Sequence, residues 1–146
     1  QYWVRRVRAQ AYGAVTPDRG YGGHDEDQGQ MGGISALMAI GLFSLTGNVD
    51  QNPSYEITSP IFDRIEITLD DRYYEKGKFI IQTYHNSAGN CYIRQAHLNG
   101  KPLHDFRFSH ADFSKGGLLE LWMGPEPAKK WGIFPKKRSP RPVNQR

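Results

Sequence analysis

A mostly apolar run of the sequence reads Met31-Gly32-Gly33-Ile34-Ser35-Ala36-Leu37-Met38-Ala39-Ile40-Gly41-Leu42-Phe43. Asp27 precedes it, with Gln30 three positions later, and this loose capping box predicts a helix from near Asp27 to about Phe43. The apolar side chains cover most of the helix circumference, and the small residues among them let neighbours approach closely. A helix that is apolar on all sides has to be buried on several sides, so we expect other protein to pack on Met31 to Phe43.

A shorter amphipathic helix is predicted upstream, over Tyr2 to Tyr12. Trp3, Val7 and Ala11 recur at four-residue intervals and form its apolar face. The pattern then gives way to a long glycine-rich loop that extends to Gly29. Loops of this length in compact domains are usually functional or disordered.

Beyond Gly47 the hydrophobic pattern changes to a period of two residues, which is typical of β-strands. Asn99-Gly100 is a strong signal for a β-hairpin, because both residues tolerate positive φ. Ser109 is suited to cap a short helical turn. Two helices followed by five or six strands predict an α+β fold, in which residues 1–46 have to pack against something else because the strands need their own core. The predicted strands lie at 65–69, 79–84, 91–98, 106–108 and 118–123.

Composition and charge exclude several classes of protein. The 146 residues carry a net charge of +4, yet seven of the 19 basic residues lie from Lys129 onward, where there is no acid. Residues 1–128 are therefore slightly acidic, and nucleic-acid binding, which would depend on the tail alone, is not supported. The longest apolar run, Ile34 to Leu45, is too short for the roughly 20 residues that span a bilayer. Cys91 is the single cysteine, which excludes an internal disulfide and a cysteine-based metal site within the chain.

The residues best suited to chemistry form an acidic cluster in the glycine-rich loop, made of His24, Asp25, Glu26 and Asp27. In an extended loop Asp25 and Asp27 would face the same side, where paired carboxylates can hold a water or a hard cation and suit a general base. Asp27 is also well placed to cap the following helix, and the helix dipole favours Asp25 and Glu26. The two roles are compatible, because capping fixes the side chain in place. The cluster matches neither the EF-hand nor a phosphate-binding loop.

Two other candidate sites are weaker. The five histidines lack the His-x-x-x-His helical spacing of a zinc site. Trp122 and Trp131 could form a platform for sugar stacking, but Trp122 lies in an alternating apolar strand, so a core position is predicted for it.

Several separate motifs are shared with a known family of enzymes. They begin with the run from Tyr21 to Met31, which contains the acidic cluster, and the apolar helix that ends Gly41-Leu42-Phe43. The remaining motifs are Tyr55 to Asp63, Ile65 to Leu69, Ile93 to Pro102, Gly116 to Glu120, Met123 to Pro127 and Trp131-Gly132. Together they resemble the C-terminal end of glycoside hydrolase family 92, over about residues 1–132.

The resemblance implies that the α+β fold consists of the terminal helices of an (α/α)6 barrel followed by an antiparallel, sandwich-like β domain. In that interpretation residues 1–46 hold the last barrel helices and the base loop, and residues 47–132 form the C-terminal β domain. Residues 133–146 are then a basic, proline-rich tail beyond the match. Members of the family are mostly bacterial, exo-acting α-mannosidases that invert the anomeric centre and need a calcium ion.

The resemblance also assigns roles within the acidic cluster. Asp27 matches the general base, and Asp25 matches a second carboxylate that assists at the position of the attacking water. Glu26 and His24 are implied to contact the substrate. The general acid, a glutamate, and most calcium ligands lie upstream of this segment in the family, with Asp25 or Asp27 expected to reach the calcium through a water. The chain is therefore expected to supply half an active site and to be inactive alone.

The implied substrate is a mannose-containing glycan, either an N-glycan or mannan, with terminal α-1,2-linked mannose. The implied protein partner is the upstream part of the same enzyme, or another chain, packed on Met31 to Phe43. The family implies a periplasmic, cell-surface or secreted location, and neither a nucleic-acid partner nor a membrane span is expected. The alternative function is a non-catalytic β-domain module that binds carbohydrate or associates with another protein.

Overall fold

The order of elements is the one that the sequence predicts, with two helices followed by a series of strands. The computed structural model describes residues 1–14, 16, 30–75 and 77–132, and over these residues the α+β class is confirmed. None of the helices in this part of the chain is both long and apolar enough to span a membrane. The elements are α1 (Tyr2–Ala11), α2 (Gln30–Ile40), β1 (Leu42–Phe43), β2 (Ser54–Ile57), β3 (Arg64–Leu69), β4 (Gly77–Tyr84), β5 (Tyr92–Leu98), β6 (Lys101–Pro102), β7 (Arg107–Ser109), α3 (His110–Phe113) and β8 (Gly117–Gly124).

The strands form two sheets. One is antiparallel with the order β1-β2-β7, and the other has the order β3-β4-β8-β5-β6. The second sheet is mixed, because β4 and β8 run parallel from the pair Phe79↔Gly117 to the pair Tyr84↔Trp122. The prediction of an antiparallel β domain is therefore wrong for these two strands. After β4 the chain builds β5, β6, β7 and α3 before β8 enters the sheet between β4 and β5, and a crossover of this kind is what parallel pairing requires.

The hydrophobic core lies between the two sheets. The five-stranded sheet contributes fully buried side chains, and the ring of Phe79 on β4 stacks on Phe108 of β7 with centroids 5.4 Å apart. Full burial of each large apolar side chain contributes roughly 1.5–3 kcal/mol to folding. Both sheets supply members of this core, which include Leu42, Ile57, Phe79, Ile81, Ile93, Leu119 and Leu121.

Gly41 ends α2 earlier than the sequence predicts. The helix stops at Ile40, and Leu42 and Phe43, which were expected to be helical, pair with β2 as strand β1. Gly41 adopts φ +81°, and a Cβ atom at this position would lie 2.7 Å from the ring of Pro60. A residue with a side chain is disfavoured in this left-handed conformation, so the helix breaks at the glycine. The predicted start of the helix at Asp27 lies outside the described residues.

Local signals in the strand region are confirmed. Asn99 and Gly100, with φ of 51° and 75°, form the turn between β5 and β6, as their sequence predicts. Ser109 caps α3 by accepting a 3.1 Å hydrogen bond from the backbone N–H of Asp112. Both features depend on neighbours within a few residues, which is why sequence alone is sufficient to predict them.

The two longer helices leave apolar residues exposed. Helix α1 has no buried residue, and Trp3 and Val7 of its predicted apolar face are 69% and 44% exposed. On α2, Leu37 is 39% exposed. Because exposed apolar surface costs roughly 25 cal/mol per Å² relative to burial, these residues would gain from contact with further protein.

Candidate functional site

The acidic cluster predicted to carry the chemistry lies outside the described residues. The roles of His24, Asp25, Glu26 and Asp27 therefore stay predictions. The structure does describe the protein on both sides of that segment, and this framework determines how its two ends are held.

The two helices on either side of the acidic cluster contact each other. We call the residues between them, 12–29, the acidic segment. Helix α1 ends at Ala11 and α2 begins at Gln30. The Ser35 hydroxyl, on the second turn of α2, donates a 3.3 Å hydrogen bond to the carbonyl of Tyr12, just after α1. The ends of the segment are thus attached to neighbouring helices.

Arg5 attaches α1 to the β domain. Its guanidinium donates to the Ser87 carbonyl at 2.6 Å and also to the Pro60 carbonyl and Asn86 Oδ1. Burial lowers the pKa of the Arg5 guanidinium from its ordinary value. An arginine still stays protonated in a protein, so these are charge-assisted hydrogen bonds.

The first residue adds a second attachment for α1. Gln1 Oε1 accepts a 2.8 Å hydrogen bond from the backbone N–H of Ile93 on β5. Tyr2 stacks on Tyr92 of the same strand, with ring centroids 6.5 Å apart. Helix α1 is therefore also held at β5, a strand of the five-stranded sheet.

Helix α2 is attached at its C-terminal end. The Gly41 carbonyl accepts a 2.8 Å hydrogen bond from the N–H of Thr58, and the Ala39 carbonyl accepts one of 3.0 Å from the N–H of Ile61. These bonds satisfy carbonyls that a helix end would otherwise leave without a partner. Both helices bordering the acidic segment are consequently fixed to the same β domain.

A cavity of about 710 Å³ lies between α1 and the loop that joins β4 to β5. Arg5, Arg6 and Arg8 line it, and Asp63 is the one carboxylate among the described lining residues. The Nε atoms of Arg5 and Arg8 are buried and have no hydrogen-bond partner within the described part of the chain. The cavity thus offers hydrogen-bond donors, whereas glycoside hydrolysis needs a pair of carboxyl groups.

The described residues alone provide no calcium site. Within residues 1–14, 16, 30–75 and 77–132 no three His, Cys, Asp or Glu side chains are grouped so that they could hold a metal ion. Calcium takes six to eight oxygen ligands. Ligands for such an ion would have to come from the acidic cluster or from further protein.

Trp122 does not lie in the core, contrary to the prediction from its strand. Leu121 and Met123 on either side of it are buried, and the partly buried Trp122 is on the opposite face of β8. Its ring stacks on Tyr84 with centroids 4.8 Å apart, and the ring of His97 meets it edge-on at 4.9 Å. Strand β8 carries large apolar residues on both faces, so alternation could not show which face is the core.

Comparison with known proteins identifies relatives of the chain. Residues 1–125 match the glycosyl hydrolase family 92 catalytic domain. An uncharacterized secreted glycosidase from Arthroderma benhamiae is 34% identical over 111 residues, which cover 74% of this chain and 13% of that protein.

Solved structures of the same family share the fold. A family GH92 inverting mannosidase from Bacteroides thetaiotaomicron VPI-5482 is 30% identical, with a TM-score of 0.75 over 92% of this chain and 17% of that one. A family GH92 α-mannosidase from Bacteroides thetaiotaomicron is 23% identical with a TM-score of 0.77, over 90% of this chain and 16% of that one, and supports the fold alone. This chain thus spans about one-sixth of the length of each solved relative. Because the family match includes both helices, the acidic cluster and both sheets, the chain belongs to glycosyl hydrolase family 92.

Proposed function

We propose that this chain is part of an inverting, exo-acting α-mannosidase that removes terminal α-linked mannose from glycans. The observation that carries the proposal is the match to the family's catalytic domain over residues 1–125, which includes residues 24–27 and the two helices that border them. The name of the solved relative, an inverting mannosidase, supports the same activity. A match to a catalytic domain favours this function over a non-catalytic module.

In the proposed reaction Asp27 acts as the general base. Its carboxylate takes a proton from a water while the water oxygen bonds to the anomeric carbon from the face opposite the leaving group. In the same step the glycosidic bond breaks, and a general acid elsewhere in the enzyme gives its proton to the leaving oxygen. A neighbouring carboxylate, Asp25, would raise the proton affinity of the pair, which suits a base.

The described framework supports this role because a general base has to lie within hydrogen-bond reach of the water that it activates. The attachments of α1 through Arg5 and of α2 through Gly41 fix both ends of the base-bearing segment to the β domain. His24 and Glu26, on either side of Asp25, are proposed to contact the sugar. The rest of the enzyme is proposed to pack on Met31 to Phe43.

Calcium dependence, a preference for α-1,2-linked mannose in N-glycans or mannan, and a periplasmic, cell-surface or secreted location belong to the same proposal. The location is supported by the relative that is called a secreted glycosidase. Calcium, when bound, would supply positive charge that orients sugar hydroxyls. Loss of turnover on chelation, with recovery on adding Ca²⁺ but not Mg²⁺, would be the expected result.

The proposed activity is tested by following the hydrolysis of an aryl α-mannoside with proton NMR, using a polypeptide that contains this chain. Inversion releases β-mannose first, and α-mannose accumulates later as the free sugar equilibrates. The 146-residue chain alone is expected to show no turnover, because the general acid is supplied by other protein. Release of α-mannose as the first product, or turnover by this chain without any other polypeptide, would contradict the proposal.

A further inference from the structure

The outward face of the five-stranded sheet carries a group of aromatic and polar side chains. Alternation along the strands directs the core residues to one face and leaves these side chains on the other. Tyr84 of β4 pairs with Trp122 of β8, Trp122 is opposite Gln95 of β5, and Glu120 is opposite His97. We call these five residues, which lie on three adjacent strands, the outer patch.

Contacts within the outer patch hold its side chains in fixed orientations. The stacked rings of Tyr84 and Trp122 are inclined by 24°, and the Tyr84 hydroxyl donates a 2.8 Å hydrogen bond to Glu120 Oε1. Gln95 Nε2 lies 2.7 Å from His97 Nε2, within hydrogen-bond distance. The hydrogen bond to Glu120 also raises the pKa of the Tyr84 hydroxyl, so it remains a donor at neutral pH. Groups held in this way lose little conformational entropy when a ligand binds.

A cleft of about 360 Å³ adjoins the outer patch. Gln95 and His97 line it, so the patch and the cleft form one continuous surface. Its other described walls come from Arg94 and Ala96 of β5, from Pro102 of β6 and from the segments 103–104 and 130–131. The volume is within the roughly 300–1,000 Å³ that is usual for small-molecule sites.

The far wall of the cleft is fixed by hydrogen bonds to the backbone. Arg94 donates to the carbonyls of Glu126 and Pro127 at 2.8 and 3.0 Å, which holds the segment that leads to Trp131. The Trp131 indole N–H donates a 2.8 Å hydrogen bond to the carbonyl of Leu103. The cleft is therefore preformed.

The chemistry of this surface fits a neutral sugar. A hexose presents an apolar C–H face, which aromatic rings bind, and a rim of hydroxyls, which planar amides and carboxylates bind. Tyr84 and Trp122 are partly exposed, and a sugar can contact the ring surface that their mutual stack and His97 leave open. Gln95 supplies an amide, and Glu120 retains a second oxygen that can accept a hydrogen bond.

Arg94 and Lys130 line the cleft, and Arg94 donates to the carbonyls of Glu126 and Pro127. Glu120 of the adjoining patch carries the opposite charge and offsets one of these two cations.

We propose that the outer patch and its cleft bind a hexose unit of a neutral glycan chain and so keep a polymeric substrate attached to the enzyme. The binding residues belong to β4, β5 and β8 and do not include the acidic cluster. The choice of α-mannan as the probe rests on the proposed function.

The test is affinity electrophoresis in native gels containing increasing concentrations of α-mannan, with a polypeptide that contains this chain and carries Asp27→Asn to prevent hydrolysis. Trp122→Ala and Gln95→Ala are expected to raise the Kd for α-mannan, obtained from the retardation, about tenfold or more, because each removes a stacking or hydrogen-bonding partner. Trp122→Phe keeps a ring, so its Kd is expected to lie between that of Trp122→Ala and that of the polypeptide with the unchanged patch. Tyr73→Ala, which removes an aromatic residue that is 76% exposed outside the patch, is the matched control and is expected to have no effect.

Absence of retardation with the unchanged surface would overturn the proposal. Equal retardation of Gln95→Ala, Trp122→Phe and Tyr73→Ala would overturn it too, and that is also the result expected if other protein covers the patch. If Trp122→Ala does not fold, the Gln95→Ala and Trp122→Phe variants still decide the question. If Asp27→Asn still hydrolyses mannan, the proposed role of Asp27 as general base fails. That result leaves the binding proposal for the outer patch unaffected, because the two are measured separately.

Discussion

At the scale of single residues, Arg5 and Gly41 connect the two helices that border the acidic cluster to the β domain. Each lies on or next to one of the bordering helices and connects it to a part of the chain that is distant in sequence. Arg5 acts through charge-assisted hydrogen bonds to three acceptors. Gly41 acts through a backbone conformation and a close approach to Pro60 that a side chain would prevent.

Arg5→Ala is expected to lower the free energy of unfolding by about 2 kcal/mol or more, because it removes hydrogen bonds of a charged donor and leaves partly buried acceptors without a partner. The loss is measured by urea denaturation. Arg6→Ala is the matched control, since Arg6 is exposed and donates to the neighbouring Tyr2 hydroxyl. A surface change of that kind should stay within about 0.5 kcal/mol. Equal stability of the two variants would show that Arg5 does not attach α1 to the β domain.

Gly41→Ala is expected to destabilise the fold more than Gly47→Ala. Both glycines have positive φ, +81° and +62°, and an alanine in that region costs about 1–2 kcal/mol. At Gly47 a Cβ would meet no atom within 4 Å, whereas at Gly41 it would overlap the Pro60 ring. The free energies of unfolding of Gly41→Ala and Gly47→Ala, measured by urea denaturation, should therefore differ by the cost of the contact with Pro60. Equal free energies for the two variants would contradict this prediction.

At the scale of elements, the pairing of β3 with β4 carries an exposed ion network. Glu66 on β3 binds Lys78 of β4 at 2.7 Å and Arg64 of its own strand at 2.7 Å. These contacts, with Lys78 first, lower the pKa of the Glu66 carboxyl from 4.5 to about 2. Its ionised form is therefore favoured in the folded state over the unfolded state.

Stability is accordingly expected to depend on pH through Glu66. Because the folded pKa is lowered, its contribution is fully present above pH 4.5 and is lost as the pH falls from 4.5 towards 2. Glu66→Gln should be slightly less stable at pH 7 and should lose less stability over that acid range, as measured by urea midpoints. The effect should be small and should shrink in high salt, because the pair is exposed. Glu126→Gln, an exposed glutamate outside these strands, should keep the original pH dependence, and an unchanged profile for Glu66→Gln would be the contrary result.

Elements that depend on near neighbours could be predicted from the sequence, and those that depend on distant ones could not. The turn at Asn99-Gly100 and the cap at Ser109 are local, and both are confirmed. The end of α2 at Ile40 depends on Pro60, far along the chain, and the parallel pairing of β4 with β8 depends on a long crossover.

In the candidate sites, too, features that depend on near neighbours could be predicted and those that depend on distant residues could not. The acidic cluster could be proposed from its residue types and its position before a predicted helix, and it stays a prediction because it lies outside the described residues. The outer patch could not, because Trp122 alternates with apolar residues in a strand that has large side chains on both faces. Only the register of β8 with β4 and β5 shows which residues share the face of Trp122.

At the scale of the whole molecule, the chain has the properties of one part of a larger catalytic unit. It spans 17% of the solved relative's chain, and the apolar residues Trp3, Val7 and Leu37 of its two longer helices are exposed. The framework holds both ends of the acidic segment, so the chemistry assigned to Asp27 would be presented to whatever protein packs beside these helices.

The role of Asp27 is tested by comparing the kcat for an aryl α-mannoside between Asp27→Asn and Asp50→Asn, each in a polypeptide that contains this chain. Asparagine caps a helix as well as aspartate does, so Asp27→Asn should remove the base without removing the cap. We predict that Asp27→Asn lowers kcat about 10²- to 10⁴-fold, the usual contribution of a general base, whereas Asp50→Asn, at an exposed loop position, leaves it unchanged. Turnover by Asp27→Asn as fast as by Asp50→Asn would contradict the claim that this chain provides the catalytic base.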